Sequence, residues 1–171
     1  MQEWRVTKYN PQLRDSLGRY QVNEWSGASD IGETFDGKEL TIDEYLHMED
    51  LYIQSVNWFL RESDVQSLQI MGLESQKEYG PAVKRYKLGD LLTENSRHAD
   101  QMWVGGTDLE NVCRLNLRSL IWCKLELSNE FFVHFGYDYY MYIGSKCPCQ
   151  EAIQKTQEVG LYVEPFLSPY K

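Results

Sequence analysis

Between residues 119 and 145 the chain reads as three strands in direct succession, and this restricts the available folds more than any other stretch. Over 119–127, Ile121, Cys123, Leu125 and Leu127 fall on one side and Lys124 and Glu126 on the other, the two-residue period of a half-buried strand. A turn at Ser128-Asn129 leads into FFVHFGYDYYMYIGS, residues 131–145, which predicts a hairpin turning around Gly136-Tyr137-Asp138. Both faces of that hairpin are apolar or aromatic, so it is expected in the middle of a sheet. Strands this close in sequence leave no room for crossover helices and therefore pair antiparallel.

The rest of the chain supplies helices for that sheet. EWRVTKY, residues 3–9, is β-rich and ends at the turn signal Asn10-Pro11. Residues 10–38 are polar and glycine-punctuated, a long surface loop. Thr41 and Glu44 form a T-x-x-E capping box. Behind it Ile42, Tyr45, Leu46, Tyr52, Ile53, Val56, Phe59 and Leu60 repeat at helical spacing as far as Glu62-Ser63, with Asp43, Glu44, His47, Asp50, Gln54 and Asn57 on the other face. A strand is expected over 68–73 and a short helix over 88–94. Gly105-Gly106 is a break, after which Thr107 or Asp108 caps a helix to about Arg118. Pro148 or Cys149 opens a last helix through Val159, Gly160 ends it, and 161–166 forms a final strand with Pro165 suited to an edge. The order β-α-β-α-α-β-β-β-α-β gives a single α+β domain over residues 1–171, with a mixed or mostly antiparallel sheet and helices packed on it. Its core is expected to hold Trp122, Phe132, Phe135, Tyr139, Met141 and Val163 with Tyr45, Ile53, Val56 and Leu60.

Charge is distributed unevenly. Residues 24–50 carry nine acids (Glu24, Asp30, Glu33, Asp36, Glu39, Asp43, Glu44, Glu49 and Asp50) against one lysine, a formal −8 of the chain's −9. This balance opposes direct binding to nucleic acid, which depends on neutralising phosphates, and to anionic membranes. It leaves a basic protein or a metal cation as the partner. No apolar run approaches a membrane span, and MQEWRVTKYN lacks the charged and apolar regions of a signal peptide. A cytoplasmic protein with reduced thiols at Cys113, Cys123, Cys147 and Cys149 is therefore expected.

No motif carries chemistry. Dinucleotide, phosphate-loop, zincin and nucleophile-elbow patterns are all missing. His47, His98 and His134 are well separated in sequence. His134, between Val133 and Phe135, reads as a packed, hydrogen-bonded strand residue. Cys147-Pro148-Cys149 lacks the two-residue spacer of zinc sites. SDIGETFDGKEL does not fit a calcium loop. Acids at 43 and 44 stabilise a helix N-terminus without further function, and Glu49 is expected to be partly covered. Hence no catalytic residue, cofactor or metal is expected. The alternative is a small metal-dependent hydrolase or nuclease built on the acidic cluster.

WRVTKYNP at 4–11, RDSLGRY at 14–20, NEWSGASDIG at 23–32, FDGKELTIDEYLHMEDLYI at 35–53, HFGYDYYMYIG at 134–144 and GLYVEPFLSPY at 160–170 together resemble contact-dependent growth inhibition immunity proteins of bacterial polymorphic toxin systems. The resemblance covers the first third and last quarter and is poor between them. It implies a cytoplasmic inhibitor, not an enzyme, that binds the C-terminal toxin domain of its system. Many such toxins are nucleases with basic substrate grooves, so a nuclease is the expected partner, an EndoU-type RNase being one candidate; the toxin class is not fixed by these residues. The partner-binding residues expected on this basis are Trp25 and Phe35 as aromatic anchors, with Asp30, Glu33, Asp36, Glu39, Asp43, Glu44, His47 and Asp50 around them.

Overall fold

The computed structural model describes residues 1–76, 78, 80–94 and 97–170. The sheet is built from β1 (Gln2–Thr7), β4 (Ser67–Ser75), β5 (Trp103–Gly105), β6 (Ile121–Leu127), β7 (Phe131–Phe135), β8 (Met141–Ser145) and β9 (Tyr162–Pro165). Among the described residues these seven strands lie in the order β5-β4-β6-β7-β8-β1-β9, and every pairing is antiparallel. The aromatic hairpin is central, as its two apolar faces require, and the Pro165 strand closes one edge. The α+β class is as expected.

Register explains the two faces. Trp4, Ile143, Val133, Leu125 and Ile70 form one continuous row across five strands, all buried under the helices. The neighbouring row, one residue along each strand, reads Arg5, Tyr142, His134, Lys124 and Met71 and points away from the helices.

The helix α1 (Ile42–Glu62) forms where its capping box and apolar spacing require it. The Thr41 hydroxyl accepts from the Glu44 amide at 3.2 Å and the Glu44 carboxylate accepts from the Thr41 amide at 3.3 Å. Tyr45, Tyr52, Ile53, Val56 and Phe59 bury against the sheet, with Phe59 packed on Trp4. The shorter helices are α2 (Pro81–Arg85), α3 (Asp90–Glu94), α4 (Gly106–Leu117) and α5 (Gln150–Glu158). The first turn of α5 is capped from afar: the Glu62 carboxylate of α1 accepts from the Ala152 amide at 2.7 Å.

The expected core is buried except at two positions, Trp122 and Val163, which are half-buried. Trp122 faces away from the helices and Val163 lies on the edge strand. Not expected were β5, α2 and, inside the long loop, 3-10 turns at Pro11–Leu13 and Ala28–Asp30 and a hairpin of two-residue strands, β2 (Thr34–Phe35) with β3 (Lys38–Glu39). The start of α4 also differs from expectation. Its cap is Gly105 without a side-chain bond, because pairing of Gly105 with Ser67 carries β5 up to the helix, and Asp108 instead pairs with Arg97.

The second face of the sheet is partly covered by the chain's own end. Residues 166–170 cross it, with Tyr170 packed against Trp122 and Tyr142. Gly144 makes a neighbouring contact possible: a Cβ there would lie 2.1 Å from the Phe132 ring, which stacks on His134 at a centroid distance of 4.1 Å.

Candidate partner-binding surface

The acidic stretch folds into three pieces: a 3-10 turn at Ala28–Asp30, the β2–β3 hairpin, and the first half of α1. Asp36-Gly37 forms the hairpin turn with both φ angles positive, 48° and 80°, the conformation that Asp-Gly favours in two-residue loops. The hairpin is tied to the helix start by Gly32 N–H to Leu40 C=O and Leu40 N–H to Glu33 C=O.

This geometry sorts the acids into two groups. Five are committed within the protein. Glu24 accepts from Lys8 and from the Tyr20 hydroxyl. Asp30 accepts from the Ser26 amide at 2.6 Å and stabilises its own turn. Glu44 closes the capping box and pairs with Lys38, whose bond holds its carboxyl below the usual range. Asp50 pairs with Arg114 at 2.8 Å while remaining exposed. Glu49, expected to be partly covered, is in fact wholly buried. Arg118 grips it with two bonds of 2.8 and 2.7 Å, and Arg114 adds a third of 2.8 Å. Burial opposes the charge on both arginines, and the Glu49 carboxylate more than restores it.

The other four, Glu33, Asp36, Glu39 and Asp43, are exposed, and their carboxylates have no hydrogen-bonding or ion-pair partner among the described residues. They project from the hairpin and the helix start as one acidic ridge, with His47 exposed further along the helix. Trp25 and Phe35 are half-buried. Trp25 packs its ring on Tyr45 and Tyr139, with the Lys8 ammonium 4.2 Å from its centroid. Its main role in the free protein is thus to fasten the loop to the core, leaving one edge at the surface.

Two further clusters have chemically suggestive residue types. Glu126, His134 and Ser168 form a hydrogen-bonded chain, His134 Nε2 to Glu126 at 3.1 Å and Nδ1 to the Ser168 hydroxyl at 2.8 Å. Ser168 is buried, accepts from the Tyr170 amide and donates its own amide to Glu3. The chain therefore pins the C-terminal tail to the sheet, and His134 is the packed strand residue expected from sequence. Burial lowers the His134 pKa to about 4. Cys149 is buried in a left-handed conformation beside Ser63, and burial pushes its thiol up to about 11. A thiol so far from ionisation is a poor nucleophile. Among the described residues no three His, Cys, Asp or Glu side chains gather as metal ligands, and no helix is long and apolar enough to cross a membrane.

Sequence reasoning missed a groove of about 710 Å³ whose lining includes the 26–29 turn that precedes the acidic hairpin. Glu74, Glu78, Trp122, Tyr137, Asp138 and Tyr170 are among the residues lining it. The lining as a whole comes from five separate segments, so no local pattern announces it.

Comparison with known proteins finds no matching family model, no matching curated protein and no matching solved structure.

Proposed function

We propose that this chain is an immunity-type inhibitor: a cytoplasmic binding protein that neutralises a basic toxin domain, with a nuclease as the partner class. The observation that carries the reading is the ridge of Glu33, Asp36, Glu39 and Asp43, held on a folded hairpin and a capped helix without internal counter-charges among the described residues. An acidic surface whose side chains are not paired within the protein is suited to meeting a basic one, where it accelerates encounter and fixes orientation. The sequence resemblance to immunity proteins supplies the partner, and a nuclease groove shaped for phosphates supplies the positive charge. The reading assigns the chain no catalytic residue, cofactor or metal.

The test takes the C-terminal domain encoded beside this gene and measures association with the wild type and with Glu33→Lys, Asp36→Lys, Glu39→Lys and Asp43→Lys combined. The expected result is stoichiometric binding whose on-rate falls steeply with salt. The quadruple variant should associate at least about tenfold more slowly and lose most of that salt dependence. A folded quadruple variant with unchanged rates and salt slope would exclude the ridge as the interface. Nuclease or esterase turnover by the purified chain, with or without magnesium or manganese, would overturn the inhibitor reading.

A further inference from the structure

The groove beside the ridge combines three features. Among its described lining residues the acids Glu74, Glu78 and Asp138 are all exposed, whereas the one cation, Arg118, is consumed by donating two hydrogen bonds to Glu49. Its aromatic lining includes Trp122, Tyr137 and Tyr170. The Trp122 indole N–H is spent on the Phe135 carbonyl at 3.1 Å, which leaves that side chain its ring for contact. Tyr137 is 84 % exposed at the groove, the most exposed large apolar side chain of the described core strands and their loops.

The frame is rigid. Ser119 on one wall and Asp138 and Tyr139 on another adopt positive φ angles of 54°, 58° and 62°. Such conformations are strained for residues other than glycine and persist only where the surroundings impose them. Here the Tyr139 ring is locked among Trp25, Tyr45 and Tyr52, and its carbonyl accepts from the Tyr52 hydroxyl at 2.8 Å. Burying Tyr139 inward turns Tyr137 outward.

We propose that this groove receives an extended, arginine-bearing segment of the partner protein. The inference rests on the reading of the chain as a binder of a basic protein and adds where the partner's side chains are anchored. A guanidinium is planar, stacks on tyrosine and tryptophan faces, and bonds carboxylates in pairs. The groove offers both complements, and a nucleic acid or any other polyanion would meet its acids. A protein segment is the matching occupant: the 26–29 turn that lines the groove runs directly into the hairpin that carries the ridge, through Asp30 N–H to Gly27 C=O and Glu33 N–H to Asp30 C=O.

The experiment titrates the isotope-labelled full chain with the blocked peptide acetyl-Gly-Arg-Gly-Arg-Gly-amide and follows backbone amide shifts, with citrulline replacing arginine as the uncharged control. Saturable shifts at residues 26–29, 119–122 and 136–140 are expected, and the citrulline peptide should not produce them. Affinity should fall about tenfold in Glu74→Gln with Asp138→Asn and several-fold in Tyr137→Ala, the scale of a lost charge-assisted contact or cation–aromatic contact. Glu158→Gln, on α5 and outside both groove and ridge, should bind the peptide like the wild type. All these side chains are exposed, and the amide spectrum reports directly that each variant is folded. No saturable binding, equal binding of the citrulline peptide, or shifts confined to residues 33–43 would each overturn the proposal. The last outcome would leave the acidic-ridge reading standing. Conversely, groove binding together with ridge variants that leave partner association unchanged would remove the ridge and keep the groove.

Discussion

Glu49 and Asp36 belong to the same acidic stretch and are used in opposite ways. Glu49 lies at 0 % exposure beneath α4, bonded by two arginines. Asp36 stands at the tip of a hairpin turn in open solvent. A buried carboxylate survives only if its lost hydration is replaced, so Glu49 dictates the placement of Arg114 and Arg118 and fastens α1 to α4. An exposed one keeps its water and constrains nothing, which leaves it free to meet a partner. Net charge counts both equally. Of the nine acids that give the stretch its character, four are exposed with carboxylates unpaired among the described residues, and the apparent polyanion is in part internal scaffolding.

The sharpest way to break that comparison is to remove each type of acid and measure stability. Glu49→Ala leaves Arg118 buried without its partner and should cost about 3–5 kcal/mol in urea unfolding. Replacing the pair together, Glu49→Leu with Arg118→Met, should recover most of that loss, since the penalty comes from the stranded charge and not from a missing attraction. Phe135→Ala provides the apolar reference for the same core: emptying that site should cost about 3–5 kcal/mol.

His134 offers a buried titratable group for comparison with the exposed ridge. Its folded pKa of about 4 lies below its ordinary value, so the unfolded chain binds the proton more readily between these two values. Its contribution is therefore present above about pH 6.5 and lost as the pH falls toward 4, on the order of 2–3 kcal/mol in all. Unfolding midpoints at pH 7 and pH 4.5 should differ more in the wild type than in His134→Gln. An equal pH slope in the two would show that His134 does not titrate across the folding transition. A smaller effect is expected at the cap of α1, where Thr41→Ala should cost about 1 kcal/mol. The smallest belongs to the ridge: Asp36→Asn and Glu39→Gln should change stability by less than about 0.5 kcal/mol, however much they alter association with a basic partner. A loss comparable to that of Glu49→Ala would mean that the ridge, too, is scaffolding.

Much of the architecture was legible from local pattern because local pattern has a local cause. The T-x-x-E box at Thr41 placed the start of α1, since both of its bonds lie within one turn. The two-residue period of 121–127 and the doubly apolar 131–145 placed β6, β7 and β8 and forced antiparallel pairing. Gly160 and Pro165 ended α5 and β9. Where the signal was shorter than its element's context, reading failed. Three residues at Trp103–Gly105 become a strand only because β4 is beside them, and Gly105 caps α4 only because that strand runs straight into the helix.

By itself, then, the sequence determined the class of fold, the order of its main elements and the segregation of negative charge, each set by neighbours within a few residues. Tertiary structure alone decided which acids are buried and which are free, because Glu49 meets Arg114 and Arg118 only when α4 crosses α1. It decided that the tail covers the second face through Ser168, His134 and Glu126. It also brought five separate segments together around one groove. Contacts of this kind depend on the register between distant strands and helices, and side-chain spacing along the chain carries no record of them.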